Sequence, residues 1–74
     1  MNIGMLWYDD DKKRSLEEKI DIAAKYYAKK YNKTVNMCIV NPLTMPVQVI
    51  IPGIEVKANR SILRGHLWLG VAGE

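Results

Sequence analysis

Residues 15–33 read SLEEKIDIAAKYYAKKYNK, and they decide the fold of this 74-residue chain. Ser15 and Glu18 have the spacing of a capping box, in which each side chain bonds the backbone N–H of the other. Acidic residues near the start and lysines near the end suit the two poles of the helix dipole. Asn32 is of a residue type that tolerates the left-handed backbone conformation with which helices commonly end. The pattern therefore predicts one helix over about residues 16–31.

The apolar residues of this helix recur at steps of three and four and make one stripe. The stripe consists of Leu16, Ile20, Ala23, Ala24, Tyr27 and Tyr31. Ile22, Tyr26 and Ala28 widen it, which suits a helix that lies on a sheet with room to touch a second surface. We expect the tyrosines to pack on the sheet with their hydroxyls in water. Ligand stacking by Tyr26 or Tyr27 is the alternative.

Apolar runs on both sides of the helix predict the sheet. Residues 3–8 (IGMLWY) are apolar on both faces, as in an interior strand, and residues 34–40 (TVNMCIV) form a second strand. Strand, helix and strand in this spacing predict a βαβ unit with parallel strands and a right-handed crossover. An antiparallel pair is the alternative if loop 9–15 carries the helix across. Further strands are predicted at residues 47–51, 54–58 and 66–71.

Two turns separate the later strands. Pro52 and Gly53 supply the chemistry of a type II turn, and residues 59–65 form a turn or one short helical turn. The whole chain, residues 1–74, is predicted to be a single α+β domain of order βαβββ. One amphipathic helix would pack on a small mixed sheet of about four or five strands. A single helix covers only part of one face, so the opposite face or an edge is a candidate for self-association.

Composition sets the stability problem for a chain of this size. A domain this short buries only about 60% of its unfolded surface. Cys38 is the one cysteine, which excludes an internal disulfide, and no zinc motif is present. Idealised packing or oligomerisation is then the expected supplement, and the hydrophobic content of 49% favours an apolar interface. We expect Cys38 to be a reduced core thiol rather than a nucleophile.

Hydropathy and charge bear on location and partners. No apolar run approaches the ~18 residues of a membrane span, and the start, MNIGMLWYDDD, lacks the features of a signal peptide. We predict a cytoplasmic protein with no membrane partner and no cofactor. The net charge of +3 is mild and spread along the chain. It permits nucleic-acid binding without arguing for it.

Three consecutive carboxylates follow the first predicted strand. Asp9, Asp10 and Asp11 would lie beyond the carboxyl end of a strand, where ligands of βαβ sheets bind. Asn41, at the end of the second strand, would lie at the same edge. Oxygen ligands of this kind suit Mg²⁺. The alternative is a solvated acidic loop, because adjacent carboxylates cannot all point at one ion and negative charge before a helix is favourable in itself.

A second candidate site combines Arg60, Arg64 and His66, with Lys57 nearby. Two arginines in a loop can hold a phosphate or a carboxylate. The same group is the basic surface that nucleic-acid binding would use. The alternative is a solvated basic loop beside a structural histidine.

The sequence leans against an enzyme, because it holds no glycine-rich phosphate loop, no GxSxG and no HExxH. We predict a small non-enzymatic interaction or regulatory protein that works through a protein–protein surface as a homodimer. Trp7 and Trp68 would fill either the core beneath the helix or the dimer interface. The alternatives are a nucleic-acid-binding module with a basic surface, and a metal-dependent hydrolase or nuclease centred on Asp9–Asp11.

Overall fold

One helix packs on one face of a four-stranded mixed sheet, in a computed structural model that describes residues 4–44 and 49–71. The elements, in chain order, are β1 (Gly4–Tyr8), α1 (Leu16–Tyr31), β2 (Met37–Val40), a 3-10 turn (Pro42–Thr44), β3 (Glu55–Ala58) and β4 (His66–Gly70). The predicted α+β class and the βαβββ order are confirmed. No helix within the described ranges has the length and apolar character that a membrane span requires.

Both ends of α1 form as the sequence predicts. The Glu18 N–H donates to the Ser15 hydroxyl over 3.1 Å, and the Ser15 N–H donates to the Glu18 carboxylate over 3.4 Å. At the other end, Asn32 adopts left-handed backbone with φ 56°. The Asn32 N–H donates to the Ala28 carbonyl over 2.8 Å. Local hydrogen bonds therefore fix where this helix starts and stops.

The stripe of α1 closes the hydrophobic core. Ile20, Ala23 and Tyr27 are fully buried, and the other predicted members of the stripe are partly buried around them. The sheet side of the core includes Cys38, Val40, Val56, Leu67 and Leu69. Burying one Ile or Leu side chain contributes about 1.5–3 kcal/mol. The contact between α1 and the sheet therefore stabilises the fold through several side chains of this kind.

The strands lie in the order β1-β4-β2-β3. β4 pairs antiparallel with both β1 and β2, and β2 pairs parallel with β3. β1 and β2 therefore run in the same direction, as predicted, but β4 lies between them. Leu67 and Leu69 of β4 are buried toward the helix, and Gly70 is buried as well. β4 is thus the most buried of the four strands, and its central place gives it a hydrogen-bonded partner strand on each side.

The prediction that residues 3–8 form an interior strand is wrong. β1 is an edge strand of the described sheet, and Leu6 and Tyr8 are 60% and 58% exposed. Met5 and Trp7 do pack against the core. A continuous apolar run predicts burial of both faces, but only the face toward α1 is buried here.

The predicted strand at residues 47–51 falls partly outside the described residues, which omit 47 and 48. Ile51 forms an isolated antiparallel bridge with Ile54. Between them Gly53 has φ 81°, and the Ile54 N–H donates to the Ile51 carbonyl over 3.1 Å. This geometry agrees with the predicted type II turn, which needs a positive φ at its third residue.

Replacing Ser15 by Ala removes the hydroxyl that caps α1. We expect it to lower the free energy of unfolding by about 1 kcal/mol, or about 4–8 °C in Tm for a chain of this size. Thermal unfolding followed by circular dichroism measures the change. Ser61→Ala, in an exposed turn, is the matched control and should shift Tm far less. Equal shifts in both variants would contradict the role of the cap.

Candidate functional site

The open face is the face of the sheet that points away from α1, and strand register defines which residues belong to it. One row across it contains Leu6, Trp68, Ile39 and Lys57. The next row contains Gly4, Gly70, Met37 and Glu55. Beyond the first row, Tyr8 pairs with His66. Side chains from four separate segments of the chain therefore share one surface.

Polarity is unevenly distributed over the open face. β1, β4 and β2 contribute mainly apolar and aromatic side chains, with Leu6 well exposed and Trp68 and Ile39 half-buried. β3 contributes Glu55 and Lys57, whose charged groups lie 3.6 Å apart. Contiguous apolar surface with a polar border is typical of an interaction site.

Aromatic rings lie side by side on the open face. A Cβ atom on Gly4 would overlap the Trp68 ring, so the indole lies across β1 only because residue 4 has no side chain. The Tyr8 and His66 rings have centroids 4.8 Å apart. The Tyr8 hydroxyl donates to Asp10 over 2.7 Å. This hydrogen bond is the largest cause of a raised pKa for the Tyr8 hydroxyl, and desolvation and the negative charge of Asp10 raise the pKa further.

The carboxylates of loop 9–11 hold the loop itself together. Asp9 accepts from the Asp11 N–H over 3.0 Å and from the Arg14 guanidinium over 3.2 Å. Asp11 accepts from the Lys13 N–H over 2.8 Å. Among the described residues, no three His, Cys, Asp or Glu side chains are grouped so as to hold a metal ion. A metal ion at this loop would have to displace the present donors, and metal binding there stays a prediction.

Asn41 and Asp9 lie at the same end of the strands, as predicted, because both form hydrogen bonds with the turn at residues 59–65. The Asn41 side-chain amide donates to the Ile62 carbonyl over 2.8 Å, and its oxygen accepts from the Leu43 N–H over 2.8 Å. The Asp9 N–H donates to the Gly65 carbonyl over 2.8 Å. Asn41 therefore ties the end of β2 to the turn at residues 59–65.

The four predicted basic residues are divided between two places. Lys57 and His66 lie on the open face, whereas Arg60 and Arg64 are exposed in the turn at residues 59–65. His66 Nδ1 lies 3.3 Å from the Arg64 carbonyl oxygen. Both arginines lie in the segment that connects β3 to β4, outside the strands that form the open face. Anion binding by this group stays a prediction.

A shallow recess lies between the start of α1 and the start of β4. Its cavity volume is about 20 Å³, and its polar lining residues are Asp9, Lys19, Thr44 and His66. Sites for small-molecule ligands usually measure about 300–1,000 Å³. The recess therefore has room for about one water molecule or a small ion rather than for a metabolite.

The two tryptophans are divided between the core and the open face. Trp7 lies beneath α1, with its ring centroid 5.0 Å from that of Tyr26 and its indole nitrogen buried. Trp68 lies on the open face. Tyr27 packs on the sheet as predicted, but it is fully buried, so the prediction that its hydroxyl lies in water is wrong. The same burial closes Tyr27 to a ligand. Leu6, Ile39 and Glu55 carry no sequence motif, and only strand register places them in the site.

Comparison of the chain with known protein families, with curated proteins and with solved structures gave no match. Function is therefore inferred from the geometry of this chain alone.

Cys38 lies in the core, and burial raises the pKa of its thiol to about 12 from an ordinary value of 9.0. Above that ordinary pKa the unfolded chain loses the thiol proton while the folded chain keeps it, so stability falls as pH rises. We expect the unfolding free energy, relative to that of Cys38→Ala, to fall by about 1.4 kcal/mol from pH 7 to pH 10. Urea denaturation measures both proteins. A difference that does not change with pH would contradict the raised pKa.

Proposed function

We propose that the chain is a small non-enzymatic interaction protein that acts as a homodimer through its open face. The observation that supports this most directly is the exposure of Leu6 and Tyr8 beside Trp68 and Ile39, on three adjacent strands. Removing apolar surface from water contributes about 25 cal/mol per Å². Association of this surface with another apolar surface is therefore favourable.

The size of the open face fits a homodimer of moderate affinity. Four strands of four or five residues, about 4.8 Å apart and with about 3.3 Å per residue, have a footprint of roughly 300 Å². Because protruding side chains give each face more accessible surface than its flat footprint, two such faces bury on the order of 1,000 Å² in total. This area is at the lower end for specific interfaces. We therefore expect a dimer that dissociates on dilution.

A second copy of the chain is the occupant that best matches the charges of the open face. Glu55 and Lys57 have opposite charges and lie on one strand, so the face can be complementary to itself under two-fold symmetry. Dimerisation also adds buried apolar surface to a short chain whose own core is small.

The proposed location is the cytoplasm. Cys38 is a free thiol in the core, and it is the one cysteine in the sequence. Reducing compartments favour such thiols over disulfides, which supports this location.

Leu6→Glu places a carboxylate in the apolar part of the open face. We expect this variant to be monomeric at concentrations where the wild type is a dimer, because the new charge must be desolvated in the interface. Light scattering on a sizing column, at low and high salt, gives the solution mass, which for a dimer is twice 8.5 kDa. Since Leu6 is an exposed residue of an edge strand, circular dichroism should show the fold unchanged.

Ile22→Glu is the matched control. It makes the same kind of change at a residue of α1 that is 39% exposed, in the layer opposite the open face, and it should leave the dimer intact. A wild-type protein that stays monomeric at every concentration and salt would overturn the homodimer. A dimer that resists Leu6→Glu would overturn the assignment to the open face.

Binding of single-stranded nucleic acid is the second candidate function, and the arrangement of the aromatic rings favours it. Tyr8, His66 and Trp68 are neighbours on β1 and β4, with Lys57 two strands from Trp68. Bases stack on aromatic rings that lie beside cations. The turn at residues 59–65 adds two arginines at the end of this surface.

Arg64→Ala tests this second candidate. We expect weaker binding of a labelled oligothymidylate, and a slope of log affinity against log salt reduced by about 0.7–1, because one phosphate contact is lost. Fluorescence anisotropy measures both quantities. Lys25→Ala removes an equal charge from the solvent side of α1 and should leave the slope unchanged. If the wild-type protein does not bind the oligothymidylate at low salt, this second candidate function is wrong.

A further inference from the structure

We infer that two copies meet with their open faces related by a two-fold axis that lies between the sheets and runs perpendicular to the strands. In this arrangement Lys57 of each copy pairs with Glu55 of the other. The inference rests on the proposed homodimer and adds its geometry. It follows from the distribution of charge over the open face and from the spacing of residues along β3.

The position of β3 decides the direction of the axis. The charged pair Glu55 and Lys57 lies on the strand at one side of the face, while Leu6 lies on β1 at the other side. An axis parallel to the strands would place β3 of one copy over β1 of the other and bury charge against Leu6. Such burial is unfavourable because the charge loses water without gaining a partner. An axis perpendicular to the strands places β3 over β3 and apolar surface over apolar surface.

The spacing along β3 decides where the axis crosses the strands. Glu55 and Lys57 belong to adjacent rows of the open face. An axis that crosses on either row would place two like charges opposite each other. An axis midway between the rows places Lys57 over Glu55 of the other copy, and Ile39 over Met37. Packed sheets usually cross at about 30°, which this two-fold arrangement accommodates.

The intrachain ion pair is compatible with this contact. Lys57 Nζ and Glu55 Oε1 already lie 3.6 Å apart, so the two pairs would form a four-charge group with alternating signs. Charge pairs of this kind set orientation and exclude wrong partners, while the apolar surface supplies most of the affinity. Among the described residues that register places on the open face, Glu55 is the one carboxylate and Lys57 the one ammonium group.

Charge reversal tests the geometry. Lys57→Glu gives a protomer with two carboxylates at these positions, and Glu55→Lys gives one with two ammonium groups. Each variant alone should dimerise at least about tenfold more weakly than the wild type, because like charges then face each other. An equimolar mixture of the two should form a heterodimer with an affinity within about threefold of the wild type. Sedimentation over a dilution series measures each Kd, and native mass spectrometry identifies the heterodimer.

The ion pair of Asp21 and Lys25 supplies the matched control. These residues lie on the outside of α1, 3.0 Å apart, so Lys25→Glu and Asp21→Lys make the same charge changes away from the open face. Neither variant nor their mixture should change the Kd of the dimer.

Each other outcome has a defined meaning. If Leu6→Glu disrupts the dimer but the charge reversals at β3 leave Kd unchanged, the axis is wrong while the proposed function stands. A mixture that binds more tightly than the wild type, with both single variants unchanged, would mean that like charges face each other in the wild type and would overturn the midway position. A wild-type monomer would overturn both the function and the geometry.

Discussion

The structure depends on the contact between α1 and one face of the sheet. A helix with its side chains is about 10–12 Å wide, whereas four strands about 4.8 Å apart make a sheet about 19 Å wide. One helix therefore covers the middle of one face and nothing of the other. Ile20, Ala23 and Tyr27 are completely buried at this contact, while Leu6 and Tyr8 on the opposite face remain exposed.

The central place of β4 links the core to the open face. Leu67 and Leu69 of this strand are buried toward α1, and Trp68 lies between them on the other side. β4 is the last strand in the chain, but it pairs with both β1 and β2. β1 can therefore join the other strands only when β4 is in place. Contacts so distant in sequence slow folding. A change that disturbs Leu67 or Leu69 therefore also shifts the surface proposed for dimerisation.

Sequence predicts the parts of this structure that local interactions determine. The capping box at Ser15 and the left-handed Asn32 mark the two ends of α1. Each depends on contacts between residues only three or four apart in the sequence, so the helix can be located from sequence alone. Pro52 and Gly53 specify their turn in the same way. The insertion of β4 between β1 and β2 depends on pairing between distant segments, which leaves no local pattern. For the same reason, the apolar run of β1 does not distinguish an interior strand from an edge strand.

The residues of the open face, too, can be predicted only in part from the sequence. Lys57 and His66 are recognisable from sequence as polar residues near a basic loop, and strand register brings both to this face. Ile39 and Leu6 have no comparable feature, because an aliphatic residue in a strand is ordinarily part of the core. Their place in the candidate site is evident only from strand register, which puts them in one row with Trp68 and Lys57. That row runs from apolar to charged across the sheet, so hydrophobic burial would favour association while the charged edge would restrict how two copies meet. The proposed function follows from this combination of an apolar surface with a charged border.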